Sequence, residues 1–208
     1  MRTKHLHLES FTDKFIKADS NTYFHVNNIT RENDHTQIHG TYMHLMSDSF
    51  IFIKNDDDDN FEINDLQIIL SAEFYTCLLK GAKWMESMID NVLNFQENGQ
   101  YVNKALSING KEFFFVKKEV QGINRNELNG IYLYLDNSGV FFYPDETIGL
   151  NTSTTPLEIT KEEFCLNLRN AIEQTKNYIP NEYQNIQLMN TGDKKVNIVS
   201  KLSKSSMY

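Results

Sequence analysis

The sequence predicts an α+β protein with two tandem β-rich repeats, each with about four antiparallel strands and one helix, and with a C-terminal hairpin. Three observations lead to this prediction. Eleven residues between positions 22 and 90 recur 90 positions later. Short apolar segments alternate with turn residues, as strands and hairpins do. Two longer segments carry apolar residues at three- and four-residue steps, which is the pattern of a helix packed on a core.

The recurrence involves residue types that are structurally informative. Gly40 and Tyr42 fall on Gly130 and Tyr132 without any gap. We therefore expect a duplication whose two copies are related by a pseudo-twofold axis. The alternative is that two ordinary strand and helix patterns share a spacing by coincidence.

The duplication sets the expected organisation of the chain. The first repeat covers residues 1–96, and the second, with the C-terminal hairpin, covers residues 97–208. Few turn-forming residues separate the helix of the first repeat from the strands of the second. We therefore expect the two repeats to associate closely as one compact unit.

The strands of one repeat support those of the other. Asn109-Gly110 is the clearest hairpin signal, because both turn positions of a type I′ turn need positive φ. The predicted strands cover residues 15–17, 22–29, 37–46 and 49–54 in the first repeat, and 105–108, 112–120, 130–135 and 140–143 in the second. Apolar residues occupy both alternating sets in places, so part of the sheet should be covered on both faces.

A polar loop should then lead into one amphipathic helix in each repeat. The first apolar stripe begins at Ser71 and continues to Leu93. The second starts at Thr160, where Glu163 three residues later predicts a capping box, and Pro180 should end it. Glu73 corresponds to Glu163, so a capping role is expected for both carboxylates rather than a catalytic pair.

The last segment predicts the added C-terminal hairpin. Its strands should cover residues 185–190 and 196–202, with a turn at Thr191-Gly192-Asp193.

Charge and composition exclude several classes of function. The 208 residues contain 20 Lys and Arg against 28 Asp and Glu, a formal net charge of -8. Nucleic acids and anionic membranes favour positive surfaces, so neither is expected as a partner. No apolar segment approaches the roughly 20 residues that a membrane-spanning helix needs.

Cysteine usage and the N-terminal residues bear on the compartment. Cys77 and Cys165 cannot form a dense disulfide framework, which favours a reducing environment. The N-terminal residues break into charged side chains before an apolar signal segment accumulates. We therefore expect a cytoplasmic protein.

The most conspicuous local feature is the acidic run Asp56, Asp57, Asp58 and Asp59. It does not fit a calcium loop, because Phe61 stands where the turn requires glycine and Gln67 where the bidentate Glu belongs. A solvated connection between strand and helix is the simplest interpretation. The functional alternative, which we adopt as the candidate site, is an acidic surface that binds a basic protein partner.

Other patterns for chemistry are weak. His25, His39 and His44 lie in the first repeat without the spacing of a metal-binding motif, and no metal or other cofactor is expected. No nucleophile elbow or glycine-rich phosphate loop occurs, and no catalytic residue is assigned. The strand aromatics lack interleaved Lys and Arg, so we expect them in the core and on the sheet surface.

The sequence favours a non-enzymatic acidic binding protein that sequesters or inhibits a protein partner, as an immunity protein does. The alternative is a small-ligand-binding protein, or an enzyme with a pocket between the two repeats that uses His25, His39 or His44. A structural or assembly component is a third class, which a large exposed apolar patch would favour.

Overall fold

A computed structural model describes residues 11–32, 35–58, 66–121, 126–149 and 156–184. The elements in chain order are β1 Phe15–Lys17, β2 Thr22–Glu32, β3 His35–Leu45, β4 Phe50–Asp58, β5 Gln67–Ile69, α1 Ser71–Leu93, β6 Ala105–Ser107, β7 Glu112–Gln121, β8 Asn126–Leu135, β9 Gly139–Gly149, β10 Leu157–Ile159, α2 Lys161–Asn177 and α3 Asn181–Gln184. We call β1–β5 with α1 the first half, and β6–β10 with α2 the second half.

The described strands form one antiparallel sheet in the order β10-β6-β7-β8-β9-β4-β3-β2-β1-β5. The mixed α+β class is therefore confirmed, with one large sheet and three helices in the described residues. The two halves meet only at the β4–β9 pair in this sheet. That pair therefore determines how the halves are joined.

The register of the β4–β9 pair is symmetric under the 90-residue offset. Ile51 lies opposite Phe141, and Phe50 and Phe52 lie opposite Phe142 and Val140. Position 142 is 52 plus 90, and position 140 is 50 plus 90. The Lys54 N–H extends the pairing by donating to the Ser138 carbonyl at 2.7 Å.

Two glycines allow neighbouring strands to approach closely beside equivalent irregularities. β-Bulges interrupt the pairing of β2 with β3 and of β7 with β8, again 90 residues apart. A Cβ added at Gly40 would lie 2.1 Å from the His25 carbonyl oxygen, and one at Gly130 would lie 2.0 Å from that of Phe115. Only glycine fits such contacts without moving the backbone.

Both long helices cover the same face of the sheet and form the main core with it. Fully buried aromatic rings from both layers interdigitate there, namely Phe50, Phe52, Phe142, Phe74 and Phe164. Each long helix also reaches strands of the other half: the Trp84 ring of α1 packs on Phe142 with a centroid separation of 5.4 Å. Tyr178, which follows α2, packs on Phe52 at 5.4 Å.

The helix starts differ from one another. The capping box at Thr160 and Glu163 is confirmed: the Glu163 N–H donates to Oγ1 of Thr160, and the Thr160 N–H donates to the Glu163 carboxylate. Glu73 lies in the first turn of α1, as expected, but the described residues form no capping box there. Leu70 occupies the N-cap position of α1 and has no hydroxyl to offer, and the Glu73 carboxylate lies 3.8 Å from Nζ of Lys17.

The opposite face carries two smaller apolar clusters near the ends of the sheet. One contains Phe11, Ile16, Phe24, Val26 and Ile38, and the other Leu106, Phe114, Val116 and Leu128. The expectation that part of the sheet is covered on both faces is thus confirmed. The central strands carry no such cluster among the described residues.

Some predicted element boundaries were wrong. β4 continues to Asp58 and β9 to Gly149, so both are longer than expected. The edge strands β5 and β10 were not predicted, since their segments were assigned to a polar loop. The predicted C-terminal hairpin lies outside the described residues.

Replacing Gly40 or Gly130 with alanine should destabilise the fold by about 3 kcal/mol, the upper end for overpacking, because the new Cβ collides with a carbonyl of the adjacent strand. Urea denaturation measures the change. Gly110→Asn is the control, since the site has φ +78° and open space around it, and asparagine tolerates such φ values. Equal stability of all three variants would contradict the packing described here.

Candidate functional site

Apolar and aromatic side chains line the centre of the side of the sheet that no described helix covers. We call this surface the open face and define it by its half-buried residues: Ile51, Ile53, Tyr132, Tyr134, Phe141 and Tyr143. Successive strand residues point to opposite sides of a sheet. Since Val140 and Phe142 enter the core beneath the helices, Phe141 and Tyr143 lie on the other side.

Cross-strand pairing brings the open-face rings together. Tyr132 lies opposite Tyr143, with ring centroids 5.9 Å apart, and Tyr134 lies opposite Phe141 at 5.1 Å. These separations are typical of stabilising aromatic pairs. The rings therefore support one another as a preformed surface.

A groove of about 570 Å³ runs over these rings. Its lining residues are Ile53, Tyr132, Tyr134, Ser138, Phe141, Tyr143, Glu146 and Ile148. Most of the lining comes from β8 and β9, and Ile53 of β4 adds a contribution from the first half. The groove thus lies on the second-half side of the β4–β9 boundary.

Among the described residues that line the groove, Glu146 is the only one with a carboxylate side chain. It forms no ion pair with another described residue, and one of its oxygens accepts the Thr147 N–H at 3.1 Å. Burial raises the pKa of Tyr132 to about 12, and burial followed by the Glu146 charge raises the pKa of Tyr143. Both phenols are therefore neutral at physiological pH, while the carboxylate supplies negative charge.

Asp136 fixes one end of the groove. Its carboxylate accepts hydrogen bonds from Oη of Tyr134 at 2.6 Å and Nζ of Lys111 at 3.1 Å, and from the backbone N–H groups of Ser138 and Gly139. The Ser138 hydroxyl and these other donors hold the pKa of Asp136 well below its ordinary value. The turn between β8 and β9 is consequently ordered around a charged carboxylate.

Helix α2 also contacts this turn, because Nε2 of Gln174 donates to the Asp136 carbonyl at 2.9 Å. The β8–β9 hairpin that forms most of the groove is therefore stabilised by a hydrogen bond from α2 as well as by the hydrogen bonds within its own turn.

The structure places most of the acidic run within β4. Asp56, Asp57 and Asp58 pair with Gly40, His39 and Ile38 of β3, and Asp59 lies outside the described residues. The interpretation of the run as a connection outside the strand is therefore wrong for its first three residues. The strand carries the run about 10 Å along its axis from Ile53 on the open face.

The second half holds an acid at one corresponding position. Glu146 pairs with Gly130, as Asp56 pairs with Gly40, and position 146 is 56 plus 90. The correspondence therefore covers one acidic position and not the length of the run.

The three candidate histidines do not share a site. Nδ1 of His25 lies 2.8 Å from Oη of Tyr178 on the helix-covered side, where the imidazole stacks on Phe15. Nδ1 of His44 lies 3.0 Å from Oγ1 of Thr22 on the other side of the sheet. Nε2 of His39 lies 2.8 Å from Oγ1 of Thr30.

The described residues show no cluster of nucleophilic or metal-binding side chains. Cys77 and Cys165 are both buried, and burial raises the pKa of each thiol, which lowers the thiolate fraction. The described residues contain no group of three or more His, Cys, Asp or Glu side chains that could hold a metal ion.

The aromatic groove is the part of the site that the sequence interpretation missed. The alternation of side chains along β9 could have indicated two faces, since Val140 and Phe142 alternate with Phe141 and Tyr143. Because both sets are apolar, the alternation did not reveal which set faces the helices.

Comparison with known protein families, curated proteins and solved structures finds no match for this chain. None of the described helices combines the length and the apolar character required to cross a membrane.

Replacing Asp136 with asparagine should lower the free energy of unfolding at neutral pH by about 1.5 kcal/mol, because the turn loses charge-assisted hydrogen bonds. The depressed pKa means that this stabilisation is complete above about pH 4 and is lost as the pH falls through the folded-state pKa. Urea denaturation at neutral and acidic pH should show the gap between wild type and variant closing in acid.

The matched control is Asp48→Asn in the turn between β3 and β4, where the carboxylate accepts one hydrogen bond from Ser49 at 3.3 Å among the described residues. It should change stability less than Asp136→Asn. A constant gap for Asp136→Asn at all pH values would contradict the proposed role of its charge.

His25 should make the fold acid-sensitive. Burial lowers the pKa of His25, although the nearby Asp13 charge acts in the opposite direction. Below about pH 6.5 the unfolded chain takes up a proton that the folded chain resists, so stability falls as the pH falls. His25→Phe, which copies Phe115 at the corresponding place in β7, should reduce this loss.

Thermal unfolding between about pH 7 and about pH 5 measures the effect. His44→Gln is the control and should retain the acid-induced loss. Parallel pH profiles for wild type and His25→Phe would rule out His25 as the source.

Proposed function

We propose that this chain is a non-enzymatic binding protein that sequesters a basic protein partner through the open face, in the manner of an immunity protein. The observation that supports this proposal is the combination of a preformed aromatic surface and acidic positions along the two strands that cross it. Apolar surface supplies binding free energy, and complementary charge supplies orientation and association rate.

Aromatic side chains suit such a surface. Tyr132, Tyr134, Phe141 and Tyr143 are already held by cross-strand pairing, so binding would cost little side-chain entropy. Tyrosine in particular is enriched at the centres of protein interfaces. The hydroxyl groups of Tyr132 and Tyr143 bond to no other described residue and are available to a partner.

Acidic positions extend this surface along both central strands. Glu146 of β9 lines the groove, and β4 leads from Ile53 into Asp56, Asp57 and Asp58. With a net charge of -8 on the whole chain, a partner that places Lys or Arg against these strands would be favoured.

The same proposal includes an internal duplication, with units at residues 1–96 and 97–208 related by a pseudo-twofold axis. Three features support it: the strand order on the two sides of the β4–β9 pair, the register of that pair, and the recurrence of bulges 90 residues apart. Positive φ at Asp13 and Asn103, also 90 residues apart, is a further correspondence. The axis would pass beside Ile51 and Phe141.

A cytoplasmic location fits this proposal, because Cys77 and Cys165 are both buried as free thiols. An immunity-type protein that acts before its target is released would meet that target in the same compartment.

The groove itself supports a second candidate, a small-ligand-binding protein. Its volume of about 570 Å³ lies within the range of ligand pockets, and its lining is mostly apolar with few polar groups. The histidines do not contribute to the groove lining, so an enzyme that uses them there is not favoured. Saturable binding of a small molecule without any protein partner would favour this candidate.

Replacing all four acids Asp56, Asp57, Asp58 and Asp59 with asparagine should weaken partner binding by about tenfold, with the larger loss in association rate. The charge-matched control replaces Glu86, Asp90, Glu162 and Glu173 of the helix layer with their amides. A partner is first captured from the native host by the wild-type chain and then purified, and its binding to each variant is measured by surface plasmon resonance at low and high salt.

We expect the control to bind like wild type, and we expect the wild-type affinity to fall as the salt concentration rises. Unchanged affinity of the strand variant, together with weakened affinity of the helix-layer control, would show that the partner uses the other side of the molecule. Failure to capture any partner from the native host would also count against the proposed function.

A further inference from the structure

We propose that the aromatic groove on the open face binds an arginine side chain of the basic partner, with the guanidinium stacked on Tyr143 and paired with Glu146. This inference rests on the proposed function and names the chemistry by which the partner is recognised. It commits to a protein-borne guanidinium as the occupant.

The groove lining selects for a cation with a flat, weakly hydrated surface. Aromatic rings attract cations through their electron-rich faces, and guanidinium stacks on them more readily than ammonium does. Glu146 supplies one negative charge without an ion pair among the described residues. An uncharged ligand would leave that carboxylate partly desolvated and unpaired.

The polar groups around the rings match guanidinium geometry. A guanidinium presents five N–H donors, which require acceptors at its edge. Glu146 offers a carboxylate, and the hydroxyl oxygens of Tyr132 and Tyr143 can accept further hydrogen bonds. Asp136 is already occupied by Lys111 and Tyr134, so the charge offered to a ligand comes from Glu146.

The first half lacks the two β9 rings of this arrangement. Ile51 and Ile53 stand where the second half has Phe141 and Tyr143, 90 residues later. Tyr42 keeps the ring found at Tyr132, but it packs on Phe24 and His44. Acidic positions occur in both halves, whereas the tyrosine pair Tyr132–Tyr143 occurs in the second. The structure therefore places a cation–π site on one side of the β4–β9 boundary.

The test uses two capped peptides of equal charge, each with two basic residues separated by glycine, one with arginine and one with lysine. NMR titration of the full chain follows the ring signals of Tyr132 and Tyr143. We expect the arginine peptide to bind about threefold to fivefold tighter than the lysine peptide and to shift these signals. Glu146→Gln should weaken the arginine peptide about threefold.

Tyr143→Leu should remove the preference for arginine, whereas Tyr143→Phe, which keeps the ring, should retain it. Dispersed amide spectra show that each variant is folded, and Glu173→Gln on α2 serves as the charge control. Equal binding of the two peptides, or no binding of either, would overturn the inference. Such a result would leave the proposed function intact if the captured protein still depends on the acidic strand.

Tetramethylammonium is the third probe. The inference expects it to bind more weakly than the arginine peptide, because it has no N–H donors for Glu146. Equal or tighter binding of tetramethylammonium with the same dependence on Tyr143 would overturn the inference in favour of a small-molecule cation site.

Discussion

The pairing of β4 with β9 is the constraint on which the rest of the described structure depends. It joins the two halves into one sheet, and its register around Ile51 and Phe141 decides which side chains lie beneath the helices and which lie on the open face. A shift of one residue would turn the side chains of one of the two strands to the opposite face, because side chains alternate between faces. Either Phe142 of β9, or Phe50 and Phe52 of β4, would then leave the core.

The helices reinforce this junction from one side only. α1 packs Trp84 against Phe142 of the second half, and Tyr178 after α2 packs against Phe52 of the first half. Each half therefore contributes to covering the other, and the main core is continuous across the junction. The two smaller clusters on the opposite face flank the junction, and Tyr132 and Ile148 of the groove lining pack against one of them. Among the described residues, the central rings are left half exposed between the two clusters.

Short residue patterns predicted the elements well where a pattern is typical of a single local structure. Thr160 and Glu163 predicted a capping box, and Asn109-Gly110 predicted a turn. The expected type I′ geometry was wrong, because Gly110 has positive φ and Asn109 does not. The edge strands β5 and β10 were missed because, unlike β1 and β6, they pair with no strand that is adjacent in the chain, so no hairpin turn marks them. The extension of β4 was missed because Asp56, Asp57 and Asp58 are poor strand formers, and pairing with β3 overrides that propensity. The groove was missed because Phe141 and Phe142 are equally apolar, so only the packed helices distinguish their faces.

The two faces of the sheet therefore differ: the long helices cover and stabilise one face, and we propose that the open face binds the partner. Hydrogen–deuterium exchange of the full chain, alone and saturated with its captured basic partner, tests this division most directly. We expect added protection in β4, β8 and β9, with exchange in α1 and α2 unchanged. Protection gained in the helices, with exchange in the three strands unaltered, would contradict it.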